Sequence, residues 1–356
     1  MKAVRMYAPG DLRVEEVPVP KVEDDEALVK VMAVGVCGSD IPRANVYGAH
    51  VSPIILGHEF AGQIIQVGKN VTKFKVGDRV TCPPLIPCFE CEWCKMGQYS
   101  LCEHYDYYGS RRDGAMAEFI SVKESNLLEI GDNISYEDGA TVDPCANALH
   151  AMARAQFQEG ETVCVYGAGP IGLFAVQYAK IKKAGKIIAV DIWDEKLEQA
   201  KKVGADVVIN SKNEDAAAKV KEATGGLGAN VVIDFSGVPI GQLTCLHCAS
   251  KLGRVILLGI SHKGLDLSEK EVDLIMREQL DIRGSWNSFT NPFPGSDWTD
   301  SIELYEKYGM TAKDIISHRL SLDDVPGIFK KIKEGGFFFS KIMFYPQGVP
   351  ADAKKD

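Results

Sequence analysis

The hydrophobic pattern changes character near residue 160. Before it, Val- and Ile-rich stretches at 28–36 and 56–82 are short and interrupted by Gly and Pro, which predicts a compact β unit with loops. Gly77 and Asp78 mark a turn within it. After residue 160, apolar runs alternate with helical segments: TVCVYG, then 170–183, KIIAVD, 194–203, VVIN, 213–224, VVIDFS, 239–250 and RVILLGI. These runs carry no polar alternation, as expected of strands covered on both faces. The pattern therefore predicts an α/β, doubly wound parallel sheet, with LDIRGSW at 280–286 as its sixth strand. Beyond it, a Pro- and Trp-containing loop, helices near 299–308 and 322–333, and a last strand KIMFYP fit no further βα repeat. The tail 347–356 is polar and expected to be mobile.

A length of 356 residues suits two cores, and 46% apolar with 25% charged is ordinary globular composition. The net charge of −9, with no stretch concentrating Lys and Arg, argues against nucleic acid as a partner. The opening MKAVRMYAPG and the lack of a long apolar run argue against a signal peptide or a membrane span, so the expected location is cytoplasmic.

Gly167, Gly169 and Gly172, with Pro170 and Ile171 between them, form G-x-G-x-x-G directly after a predicted strand and at the start of a predicted helix. Glycine there permits a tight turn and close approach of a pyrophosphate to backbone amides at a helix start. Asp191 ends the next strand 24 residues on (191 − 167), where a carboxylate accepts hydrogen bonds from ribose hydroxyls and repels a 2′-phosphate. No Lys or Arg follows until Lys196, so the expected cofactor is NAD rather than NADP.

Four of the ten cysteines, Cys88, Cys91, Cys94 and Cys102, give C-x2-C-x2-C-x7-C in one loop. Four thiolates in so short a segment can surround a tetrahedral zinc and leave no open position, which is a structural site. Cys82, Cys145, Cys164, Cys245 and Cys248 lie in apolar segments and read as small buried hydrophobes. Cys37 in GVCGSD, and His58 with Glu59 in LGHEFAG, stand apart because of their company.

Together with the cysteine lobe and the nucleotide motif, these segments resemble the zinc-containing medium-chain alcohol and polyol dehydrogenases, over essentially the whole chain to about Pro346. The resemblance implies a GroES-like β-rich catalytic domain at 1–150 and 285–356, interrupted by a Rossmann NAD-binding domain at 151–284. It implies two zinc ions per chain, the second in a site open to substrate; a ligand set rich in oxygen is less selective than thiolates and admits manganese or another divalent ion in place of zinc. It makes Cys37, His58 and Glu59 ligands of that second ion, Asp40 the carboxylate that orients a ligand imidazole, and Ser39 the hydroxyl that takes the substrate proton. Pro42 stands where related alcohol dehydrogenases continue the proton relay with a His, which leaves His50 or water for the exit. Asp143, in DPCANALHA, occupies the position of a Glu ligand in polyol dehydrogenases; one methylene shorter, it binds directly, through water, or leaves Glu59 the ligand. A zinc ion there acts as a Lewis acid on an alcohol oxygen while hydride passes to nicotinamide.

DYYGSRRDGAMAEF at 106–119 and GSWNSFTNPFPGSDW at 284–298 resemble the polyol-phosphate members of the family. Arg111 and Arg112 are the expected phosphate fork, and Trp286 and Asn287 further substrate contacts. The implied substrate is a small-molecule polyol phosphate, galactitol 1-phosphate or a pentitol phosphate. DPCANALHA also resembles a segment of L-threonine 3-dehydrogenases, so L-threonine and an unphosphorylated polyol are the alternatives. A non-catalytic NAD-binding regulator would be marked by a lost zinc ligand, and none is lost. The family resemblance further implies a homodimer or homotetramer.

Overall fold

The computed structural model describes residues 1–351, so positions 352–356 of the polar tail lie outside it. The chain divides into two compact units, Met1–Asp143 with Phe289–Asp356, and Pro144–Ser288. The first division falls inside the helix Val142–Arg154, and the second falls just beyond the sixth strand of the parallel sheet. The boundaries expected from the sequence, 150/151 and 284/285, differ from these by seven and four residues (150 − 143 and 288 − 284).

In the second unit, six parallel strands run in the order Val207–Asn210, Lys186–Asp191, Thr162–Tyr166, Ala229–Asp234, Ala249–Leu257, Asp281–Gly284. In chain sequence this is 3-2-1-4-5-6, so the order reverses between Thr162–Tyr166 and Ala229–Asp234 and opens a crevice at their carboxyl ends. Val163, Cys164, Val165, Ile188, Ala189, Val231 and Val232 are all buried, which is why no polar alternation was visible in these runs. The helices Pro170–Ile181, Asp194–Val203, Ala216–Ala223 and Pro239–Cys248 fall where the periodicity put them, a few residues shorter at their ends. Glu269–Arg277 was not foreseen. It buries none of its residues fully; its start is set by a capping box between Ser268 and Glu271, and its apolar face lays Leu274 and Ile275 against the core of this unit.

In the first unit the long strand Glu26–Gly35 is the organiser. It pairs antiparallel with Glu59–Val67, with Phe119–Lys123 and with the chain-final strand Lys341–Tyr345. A parallel pair between Ile316–Ser321 and Lys341–Tyr345 extends that sheet. The chain thus returns after the parallel unit to complete the sheet it began, and Ile342, Phe344 and Phe329 join the core with Val29, Val34 and Phe60. Among the described residues no helix is long and apolar enough to cross a membrane.

Candidate functional site

Cys37, His58 and Glu59 reach one point by different routes. Glu26–Gly35 ends just before Cys37, and Glu59 opens the neighbouring strand, with Gly35 and Glu59 directly paired. Their ligand atoms all lie within 4.8 Å of one another. Asp143 is buried but does not join that group. Its charge is nonetheless felt at half-buried Tyr107 and buried Cys82, both pushed above their ordinary range chiefly by desolvation.

Asp40, fully buried, braces the cluster. One carboxylate oxygen accepts the backbone N–H of Cys37 at 3.1 Å; the other accepts from Arg43 Nη1 at 3.2 Å and lies 3.6 Å from His58 Nδ1. His58 Nδ1 is enclosed with no hydrogen-bond partner. Ser39 donates its hydroxyl to Cys37 Sγ at 3.3 Å. Burial pushes the Cys37 thiol well up, and the neighbouring Glu59 and Asp40 charges push it further. A half-buried thiol crowded with a buried imidazole and carboxylate is costly alone and forms a suitable donor set for a divalent cation of borderline softness.

Sequence reasoning missed Lys341. Its side chain is 2% exposed and donates to Glu59 Oε2 and to the Val36 carbonyl. Nothing local could have signalled it, because Lys341 lies 282 residues from Glu59 and arrives only with the returning strand. The space is filled: a Cβ on Gly35 would stand 2.8 Å from Glu59 Oε2 and 3.3 Å from Lys341 Cδ.

The four cysteines form a second group with ligand atoms within 4.8 Å. Backbone N–H groups already aim at the sulfurs: Cys91 N and Glu90 N at Cys88 Sγ (3.3 and 3.5 Å), and Cys88 N at Cys102 Sγ (3.3 Å). Hydrogen bonds from the Glu103 and Cys94 amides bring Cys91 down to about 6, while burial raises Cys94 and Cys102. The other five expected buried thiols, Cys82, Cys145, Cys164, Cys245 and Cys248, are buried.

The arginine turn is sewn to the strand end that carries His58. Asp113 accepts the Ile55 N–H at 2.9 Å, and any Cβ on Gly114 would meet the Gly57 carbonyl at 2.2 Å, so only glycine allows this approach. The two arginines then part company. Arg112 pairs with Asp106 at 3.1 Å and Glu26 at 4.0 Å and lies over Tyr108. Arg111 stacks its guanidinium over Tyr105, 4.5 Å from the ring centroid, and its Nε is enclosed without a hydrogen-bond partner. Tyr105 touches Tyr107, which meets the His58 ring edge-on at 5.4 Å.

In the second unit, Gly167 has φ of 101°, and a Cβ there would meet Ser236 N at 2.9 Å. A Cβ on Gly172 would strike the Gly167 carbonyl at 2.1 Å, whereas Gly169, the N-cap of Pro170–Ile181, faces open space. The three glycines thus serve the turn, the helix packing and an unobstructed helix start. Asp191 accepts the backbone N–H groups of Ala168 (2.8 Å), Ile192 (2.7 Å) and Trp193 (3.1 Å), which fixes its carboxylate at the rim of a cleft of about 480 Å³. Trp286, half exposed, and Asn287, with φ of 51°, follow the last strand of this unit.

Two metal-competent clusters and a glycine-rich nucleotide crevice point to one family. Residues 170–307 match the model for the zinc-binding dehydrogenases, and 23–132 that for the alcohol dehydrogenase GroES-like domain. Galactitol 1-phosphate 5-dehydrogenase of Escherichia coli (strain K12) is 38% identical over 325 residues, 91% of this chain and 94% of that protein. This chain belongs to the zinc-binding medium-chain dehydrogenases. The sorbitol dehydrogenase of Bacillus subtilis (strain 168) is 35% identical over 353 residues, covering 97% of each. The crystal structure of galactitol-1-phosphate dehydrogenase from Escherichia coli superposes with a TM-score of 0.92 at 36% identity, over 97% of this chain and all (100%) of that one. As a zinc-binding dehydrogenase the chain is an oxidoreductase related to alcohol and polyol dehydrogenases, with a GroES-like domain and a Rossmann-type parallel sheet.

Proposed function

We propose that this dehydrogenase oxidises a secondary alcohol of a polyol phosphate, galactitol 1-phosphate or a pentitol phosphate, to the keto-sugar phosphate with NAD. The observation that carries the chemistry is the meeting of Cys37, His58 and Glu59 within 4.8 Å. These residues would hold a zinc ion, with Glu59 rather than Asp143 as the carboxylate ligand, since Asp143 stays outside the group. Bound there, the ion supplies Lewis acidity toward the alcohol oxygen. Asp40 holds the Cys37 backbone and faces the His58 ring at 3.6 Å, and Ser39 takes the proton that the alcohol gives up while passing its own hydroxyl proton on to water, as the hydride goes to the nicotinamide. The cysteine lobe would hold a second, closed zinc.

The choice of NAD is supported by the cleft that Asp191 borders. Glu214 and Asp215 also line it, and Lys196 is the single cation among the lining residues, so a 2′-phosphate would meet three carboxylates. Gly167, Gly169, Pro170, Ile171 and Gly172 would receive the pyrophosphate. The phosphate on the substrate is supported by the likeness to a galactitol 1-phosphate 5-dehydrogenase and by Arg111, which has no acidic partner among the described residues. Trp286 and Asn287 are proposed as further substrate contacts, and a cytoplasmic homodimer or homotetramer as the working form. The similarity to a sorbitol dehydrogenase supports a free polyol as the second reading.

The test follows NADH absorbance with zinc-loaded protein, NAD, and a panel of galactitol 1-phosphate, arabitol phosphate, galactitol, sorbitol and L-threonine. A polyol phosphate should give the highest kcat/KM. Faster oxidation of a free polyol or of L-threonine rejects the phosphate.

A further inference from the structure

We infer that Arg111 and His50 form one receptor for the substrate's phosphate dianion, built from the 43–50 segment and the 106–114 turn, and that Arg112 takes no part. This deepens the polyol-phosphate reading and rests on it. Four observations bear on it.

The first is the contrast within the arginine pair. Arg112 is neutralised by Asp106 and Glu26, whereas Arg111 has no carboxylate within 4.0 Å among the described residues and an enclosed, unpartnered Nε. In a chain of net charge −9, a half-buried guanidinium without an acid beside it is held for an anion that comes from outside.

The second is rigidity. Stacking over Tyr105 fixes the guanidinium plane, and the Gly57, Gly109 and Gly114 backbones are too close for any side chain, so the turn cannot drift from the strand end bearing His58. A fork aimed by its surroundings loses less entropy on binding than a free surface arginine.

The third is convergence. The His50 N–H approaches the Ser110 carbonyl at 3.4 Å and ties the two segments together. His50 is held below the ordinary imidazole range by partial desolvation and by the positive fields of Arg111 and Arg43. The carboxylate facing Arg43 is Asp40, which is also engaged with the Cys37 backbone. Arg43 is thus offset by Asp40 as Arg112 is by Asp106, which leaves Arg111, among the described residues, as the uncompensated guanidinium beside the His50 segment. A dianion with three acceptor oxygens suits that arrangement better than a carboxylate, which one arginine fork satisfies. The ammonium of L-threonine would be repelled by it.

The fourth is place. Through Tyr105 and Tyr107, Arg111 is three contacts from His58, with steps of 4.5, 6.2 and 5.4 Å, so the receptor is linked to the metal-competent cluster without sharing a ligand with it.

The experiment measures kcat and KM of the zinc-loaded protein with NAD for galactitol 1-phosphate and galactitol, in wild type, Arg111→Ala, Arg111→Lys, His50→Ala and Arg112→Ala. Arg43 is left intact because it holds Asp40. Losing charge-assisted hydrogen bonds should lower the ester-over-polyol ratio of kcat/KM about tenfold to a hundredfold in Arg111→Ala and about three- to tenfold in His50→Ala. Arg111→Lys should recover part of the ratio, and Arg112→Ala should keep it. Inorganic phosphate should compete with galactitol in wild type and not in Arg111→Ala.

If the ester is preferred but neither Arg111→Ala nor His50→Ala changes the ratio, the receptor is wrong and the substrate reading stands. If free galactitol is the better substrate yet phosphate inhibition depends on Arg111 and His50, the receptor stands and the substrate reading falls. Equal losses on both substrates in every variant overturn the receptor.

Discussion

The cysteine lobe and the Cys37–His58–Glu59 cluster each offer a metal its ligands, but they are assembled in opposite ways. The lobe is local: its four sulfurs come from residues 88–102, and its own loop amides already point at them. The other cluster is gathered from two strands and braced by Asp40 and by Lys341, which arrives from the far end of the chain. A local site of four like donors depends little on the rest of the fold and has no vacancy for a substrate. A site of three unlike donors, with a carboxylate shared between ion and lysine, leaves room for exchange and depends on the tertiary structure being right. The difference teaches that these two metal sites should fail in different ways.

The sharpest way to break this comparison is His58→Ala. It should lower kcat/KM by about a thousandfold or more, the several kcal/mol that a Lewis acid supplies, while leaving the ion of the cysteine lobe bound. Elemental analysis and kinetics on the same preparation decide it. If both ions are lost together, the sites are not independent. Brief treatment with a chelator should reproduce the pattern without mutation, removing activity while the circular dichroism spectrum persists.

Lys341→Met tests whether the open cluster relies on its distant partner. Removing the lysine leaves the Glu59 carboxylate buried and unpaired, which costs about 3–5 kcal/mol of stability in urea unfolding of the metal-free protein. Zinc should restore part of that loss, because the cation then compensates Glu59. A variant as stable as wild type without metal would mean that Glu59 is protonated or hydrated there.

Smaller effects are expected in the nucleotide unit. Asp191→Ala removes the ribose acceptor and one of three carboxylates in the cleft, and should shift the NAD-over-NADP ratio of kcat/KM by about tenfold to a hundredfold. Steady-state kinetics with both cofactors reads it. An unchanged ratio would move the discrimination to Glu214 and Asp215. The smallest effect belongs to Arg112→Ala. Its partly exposed pairs with Asp106 and Glu26 are worth at most about 1 kcal/mol, so the thermal midpoint should move by only a few degrees.

Much of this was legible in the chain. The parallel strands could be read because each is a short run buried on both faces, and the glycine fingerprint because it depends on backbone contacts within a few residues. The cysteine lobe could be read because its ligands are neighbours in sequence. The helix Glu269–Arg277 was missed although its signals are local, a capping box at Ser268 and Glu271 and a strongly amphipathic stretch, because it is short and buries no residue fully.

What is local could be read from the residues alone: two kinds of unit, four clustered sulfurs, a glycine-rich turn with an acid one strand on, and a basic pair in a Gly-flanked turn. Only the tertiary structure decided which groups face one another across long separations. It gave Lys341 to Glu59, Asp106 and Glu26 to Arg112, and among the described residues left Arg111 without an acid. It also grouped Glu59, not Asp143, with Cys37 and His58. The physical reason is that a charge's partner is chosen by distance in space, while sequence spacing fixes distance only within a turn or a strand pair.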